Sequence, residues 1–176
     1  AILSILNQEG SGIDAVSAGE VAACIRAGIP PERIMYTGVN VSDAELKAVT
    51  DMGVMINIDS ESGLERLAAI DRDLPVSFRI TPDVGSGHSD KVVTGRRGSK
   101  FGIPMDRVVK TYLRARDLGF DIRGIHAHIG SGGQAVEPFT DMAGIMADTV
   151  NRLQDKGIDL DFIDIGGGIG VPYRMN

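Results

Sequence analysis

The chain has 176 residues, 43% hydrophobic and 24% charged, with a net charge of -6 and a single cysteine. That length can bury an ordinary core, while the dispersed negative charge excludes a basic face for nucleic acid or anionic lipid. Cys24 alone cannot build a disulfide framework, and no apolar run approaches the ~20 residues of a membrane span. With no secretory signal either, the expected setting is the cytoplasm and the expected partner a small molecule.

In chain order, residues 1–9 read as the end of a helix that begins without an initiator Met, so a fragment is expected. Gly10-Ser11-Gly12 leads to a short strand, Ile13 to Val16. Ser17 caps a helix that runs to Ala27 and stops at Gly28, with Cys24 inside its apolar run as a core thiol. Pro30-Pro31-Glu32-Arg33 turns into the strand Ile34 to Thr37. Ser42 then opens a helix with Glu45 as its capping-box partner.

Val54 to Ile58 is an apolar strand apart from Asn57, and Ser60 caps a helix carrying Leu64, Leu67 and Ile70. Pro75 to Ile80 is the next strand. The segment from Thr81 to Ser99 is rich in Gly, Ser and charge; a loop of that size in a compact domain is usually functional. Pro104 opens a helix with Val108, Val109, Tyr112, Leu113 and Ala115 on its apolar side, ending at Gly119.

Gly124 to Ser131 reads as a buried strand breaking into the loop Gly130-Ser131-Gly132-Gly133. Residues two apart in a strand share a face, so His126 and His128 project together while Ile125, Ala127 and Ile129 pack opposite. The loop offers N–H groups and a hydroxyl to an anion lying close to the main chain. His126 reads as a core histidine with satisfied hydrogen bonds, and His128, nearer the loop, as the functional one. A helix from about Glu137 to Lys156 and a strand Asp161 to Ile165 follow, running into Gly166-Gly167-Gly168-Ile169-Gly170.

Six strands alternating with helices imply parallel pairing through right-handed crossovers. The alternation leaves a closed barrel competing with an open doubly wound sheet. The unusual residues fall at C-terminal strand ends: Asp14 with Ser17, Thr37 with Gly38, Asp59, Arg79, His128 with Ser131, and Gly166 to Gly168. Such loops converge on one site only in a barrel, so a (β/α)8 TIM-barrel is the expected fold. The triple glycine suits a phosphate, which barrels often hold near their last strands. It is not a dinucleotide fingerprint, because no following strand completes the unit.

His-Ala-His on a strand is also a way to hold a metal, but further ligands would have to come from other strands and only His88 remains, so no metal is expected. None of the five lysines sits at a strand end aimed at a barrel mouth, Lys100 included, so none reads as a Schiff-base nucleophile.

Taken together, several stretches resemble the diaminopimelate decarboxylases, within the alanine racemase-like group of pyridoxal-phosphate decarboxylases that also contains the ornithine and arginine enzymes. They are Gly12 to Glu20, Pro31-Glu32-Arg33-Ile34 with Thr37-Gly38, and Ile58-Asp59-Ser60. Thr94-Gly95 with Ser99 to Ile103, the double-histidine strand with Gly130-Ser131, and Asp164 to Gly168 complete the pattern. Singly weak, in this order and spacing they are specific, and they cover essentially the whole chain.

The resemblance implies that the chain is a partial pyridoxal 5'-phosphate barrel domain, about strands two to seven of eight. His128 would stack on the cofactor ring, Ser131 and the backbone of Gly166, Gly167 and Gly168 would hold its phosphate, and Asp14 would lie near the Schiff-base lysine and the ring. That lysine, the first and last strands and a C-terminal β domain would lie outside residues 1–176, so this chain alone is expected to be inactive. The parent is expected to be a homodimeric carboxy-lyase of lysine biosynthesis, turning meso-2,6-diaminopimelate into L-lysine. A relative of the ornithine or arginine type, or a barrel that binds pyridoxal phosphate without catalysis, are the alternatives; Pro82 to His88 departs from the commonest family form.

Overall fold

A computed structural model describes residues 1–84, 100–133 and 135–171, and divides them between two compact units. The first comprises residues 1–77 and 115–122, the second residues 78–114 and 123–176. The expectations placed on residues 85–99, His88 and Thr94 among them, lie outside the described residues.

In the first unit, α1 (Ile2–Gln8), β1 (Ile13–Ala15), α2 (Ala18–Arg26), β2 (Ile34–Tyr36), α3 (Asp43–Thr50), β3 (Met55–Ile58) and α4 (Glu61–Ile70) lead into β4 (Pro75–Thr81). The strand order is β1-β2-β3-β4, with parallel registers that place Asp14 opposite Met35 and Tyr36 opposite Ile56. Parallel neighbours need a crossover, and each is a helix started by a serine. Ser17, Ser42 and Ser60 each accept, through Oγ, the N–H of the residue three further on, at 3.2, 3.1 and 3.1 Å. These satisfy amides that an α-helix leaves unpaired at its start. Val21, Cys24, Leu46, Val49, Leu64 and Leu67 on the helices and Ile34, Tyr36, Ile56 and Ile58 on the strands are all buried.

The second unit holds the end of β4, then β5 (Ile103–Pro104), the start of α5 (Val108–Asp117), the end of β6 (Asp121–His126), α6 (Glu137–Gln154) and β7 (Phe162–Asp164). Here the order is β4-β6-β7, with β5 attached to β4. Strand β6 pairs with β7 in parallel, with Gly124 opposite Phe162, Ile125 opposite Ile163 and His126 opposite Asp164. Met142, Met146, Thr149 and Leu153 form the buried stripe of α6 at helical spacing. The Tyr112 hydroxyl donates to the Gly124 carbonyl at 2.9 Å, and its ring lies 4.5 Å from that of Phe78.

Several boundaries differ from the sequence expectation, the histidine strand beginning at Asp121 rather than Gly124 among them, and two further differences matter for the second unit. Ile103–Pro104 is a seventh strand among the described residues, pairing in parallel with Ile80–Thr81, where a helix start was expected. A two-residue pairing has no periodicity to betray it. Strand β6 ends at His126, so His128 lies beyond it, although the Ala127 N–H still donates to the Asp164 carbonyl at 3.0 Å. No helix of the described residues is long and apolar enough to cross a membrane.

Candidate functional site

Five of the six residues singled out in the sequence come together in the second unit, on two loops that interlock. The loop after β6 carries His128 and Ser131; the loop after β7 carries Gly166, Gly167 and Gly168. The Gly133 N–H donates to the Gly168 carbonyl at 2.9 Å, and the Gly170 N–H returns to the Gly133 carbonyl at 2.7 Å. The glycines are required by space. Gly168 has φ of 86°, and a Cβ there would lie 1.9 Å from the Gly130 carbonyl oxygen. Gly166 has φ of 67°, and its Cβ would lie 2.7 Å from His128 Nδ1. Gly167, between them, is the exposed residue of the turn, and a Cβ there would meet nothing within 4 Å.

His126 is buried at 2% exposure, whereas His128 is half-buried. Burial pushes the His126 imidazole down to about 4; Arg79 and His128 push the same way, and the nearby Asp164 carboxylate opposes them without prevailing. Burial and then Arg79 likewise lower the titration of His128, again against Asp164. Both rings are therefore neutral at pH 7. The Gly167 N–H donates to His128 Nδ1 at 3.4 Å, which leaves the ring proton on Nε2.

Asp164 is the residue that sequence reasoning missed. It was legible only as part of a glycine motif, yet its Oδ1 accepts the Gly166 N–H at 2.7 Å and its backbone stands in register with His126. Arg79 was visible as an unusual strand-end residue; its partner was not. Its buried guanidinium lies 4.6 Å from the centre of the Phe101 ring, and Thr81 Oγ1 donates to the Phe101 carbonyl. These contacts hold the segment around Phe101 against the end of β4.

The sixth residue, Asp14, belongs to the first unit, in the middle of β1 with its side chain exposed. Beside the interlocked loops, Val136, Phe139, Ile165, Ile169 and Val171 line a pocket of about 470 Å³. Its wall is apolar and its lining side chains offer an anion no donor. The set as a whole is a small-residue cradle next to a neutral imidazole face, which suits a flat ring bearing a phosphate.

The whole chain, residues 1–176, matches the model of the family described as pyridoxal-dependent decarboxylase, pyridoxal binding domain. It is 48% identical over 175 residues to the diaminopimelate decarboxylase of Methanothermobacter thermautotrophicus, covering 98% of the chain and 41% of that protein. Among solved structures it matches diaminopimelate decarboxylase from Helicobacter pylori, complexed with L-lysine, with a TM-score of 0.92 and 32% identity. That match covers 99% of this chain and 46% of the other. The arginine decarboxylase of Paramecium bursaria Chlorella virus, bound to agmatine, shares the fold at a TM-score of 0.81 but only 24% identity, over 95% of this chain and 44% of that one. The chain spans less than half the length of these relatives. The shared fold is an incomplete (β/α)8 barrel with parallel strands, as the strand-end argument expected.

Proposed function

The chain belongs to the pyridoxal-dependent decarboxylases, as a pyridoxal binding domain, and from that premise we propose that the protein containing it decarboxylates meso-2,6-diaminopimelate to L-lysine using pyridoxal 5'-phosphate. The observation that carries the reading is the glycine turn locked against His128. Positive φ at Gly166 and Gly168, together with their close packing on Gly130 and His128, fixes a small-residue turn of the kind that supports a phosphate site.

In this reading the turn of Gly166, Gly167 and Gly168 and the Ser131 hydroxyl would hold the phosphate, and the neutral face of His128 would pack on the pyridine ring. Asp14, on β1 of the first unit, is a further cofactor residue only as the family resemblance implies. When bound, the cofactor supplies an electron sink that lets the substrate's α-carboxylate depart as carbon dioxide. The protein's share is orientation and charge: His128, held on Nε2 as its only N–H, offers an uncharged face that does not repel a protonated ring. Arg79, fixed over Phe101, keeps a permanent positive charge near both imidazoles. The substrate assignment is supported by the 48% identity to the diaminopimelate decarboxylase of Methanothermobacter thermautotrophicus.

The test is to purify the full-length protein with pyridoxal phosphate, record its visible absorption, and follow carbon dioxide and lysine after adding meso-diaminopimelate, ornithine or arginine. Release from diaminopimelate alone supports the reading. Release from ornithine or arginine instead moves the protein to a sister activity, and a cofactor band without release from any of them makes it a non-catalytic binder. Absence of a band overturns the site assignment.

A further inference from the structure

Two glycines at positive φ carry no side chain that could hold them there, so something outside the turn must choose its shape. In this molecule that something is Asp164. Its Oδ1 accepts the Gly166 N–H at 2.7 Å, two residues on, closing a ring in which an aspartate imitates a backbone turn. Its carbonyl accepts the Ala127 N–H at 3.0 Å, and so joins the turn to the residue between the two histidines. Its Cα stands in register with His126. The next amide along, that of Gly167, points at His128 Nδ1 at 3.4 Å. One residue thus connects β7, the glycine turn and the loop that bears His128, through its side chain to Gly166 and its backbone carbonyl to Ala127.

We propose that Asp164 is a positioning residue: by holding Gly166 it aims the Gly167 amide at His128 Nδ1, and so sets both the shape of the phosphate cradle and the tautomer of the imidazole beside it. The assignment rests on the cofactor reading only for its consequence in catalysis; the geometry it asserts exists without any ligand. The acceptor atom, not the charge, is what the role requires. Asparagine keeps an Oδ1 in the same place and alanine does not.

The test uses the full-length protein labelled at histidine and glycine, in the absence of cofactor. Nitrogen NMR of the wild type is expected to show an unprotonated Nδ1 and a protonated Nε2 for His128, with the amides of Gly166 and Gly167 protected from hydrogen exchange. Asp164→Ala is expected to give a mixture of His128 tautomers, to expose both amides, and to weaken pyridoxal phosphate binding about tenfold, the scale of one lost charge-assisted hydrogen bond. Asp164→Asn is expected to restore the Nε2–H tautomer and the protection. A wild type with the proton on Nδ1, or with both amides unprotected, overturns the proposal, and this holds even if the alanine variant fails to fold. An asparagine variant as disordered as alanine overturns it too. A protein with the predicted tautomer that binds no pyridoxal phosphate sinks the cofactor reading and leaves the positioning role standing.

Discussion

Gly168 lies so close over Gly130 that a Cβ on it would sit 1.9 Å from the Gly130 carbonyl oxygen. The two are 38 residues apart, on the loops after adjacent parallel strands, and their contact makes two glycine-rich segments into one object. Gly168→Ala must therefore separate the loops as well as strain φ of 86°. The expected cost is about 1–3 kcal/mol of stability from the strained backbone, plus loss of pyridoxal phosphate binding. Gly167→Ala, with open space around its Cβ, is the control: thermal melting should barely change. Equal melting temperatures for the two variants would contradict the close packing.

The buried His126 makes stability fall in acid. Above pH 6.5, its ordinary value, neither folded nor unfolded chain binds a proton there and the contribution is constant. Between 6.5 and about 4 the unfolded chain is protonated while the folded one is not, so stability declines as pH drops; below about 4 both bind and the decline levels off. The integrated loss is about 3 kcal/mol. Urea unfolding of the wild type and of His126→Gln across pH 4 to 7 checks this, with the variant expected to show the shallower pH dependence.

Arg79 lowers the titration of both histidines. Arg79→Met removes that charge while keeping an apolar stem beside Phe101, so the midpoints of His126 and His128 should both rise. Proton NMR of the imidazole resonances reads this directly. Unchanged midpoints would show that Arg79 does not set them.

Tyr112 is buried and its hydroxyl donates to the Gly124 carbonyl at 2.9 Å. Tyr112→Phe leaves that carbonyl without this donor and is expected to cost about 1–2 kcal/mol in chemical denaturation. Gly124→Ala should cost more, because a Cβ there would fall 2.2 Å from the Phe162 ring on the neighbouring strand. The reverse order would mean that Phe162 swings aside freely.

Ser60 begins α4 by accepting the Gly63 N–H at 3.1 Å. Ser60→Ala is expected to lower stability by about 1 kcal/mol, and Ser60→Asp to retain most of it. Denaturation midpoints with an unchanged denaturant slope would check both.

Most of the fold was legible in the residues because its signals are local. Ser17, Ser42 and Ser60 stand at helix starts as their side chains demand, and the apolar runs at 34–37 and 54–58 are strands because parallel strands are buried on both faces. The site was half legible. The histidine pair and the two glycine runs announced themselves by composition, but Ile103–Pro104 and Asp164 did not. A strand of two residues has no pattern, and an aspartate before a glycine turn looks like any loop residue until the amide it caps is known.

The sequence by itself determined the parallel βα alternation and the helix starts, since propensity, capping and period act over a few residues. It also carried the resemblance to pyridoxal-phosphate decarboxylases, through motifs in a specific order. Only the tertiary structure decided that the loop after β6 and the loop after β7 interlock, that His126 is sealed and His128 half-open, and that Asp164 joins them. Those facts depend on register between strands 36 or more residues apart, on the backbone room left by a missing Cβ, and on how burial weighs against neighbouring charge. None of these is encoded at any single position in the chain.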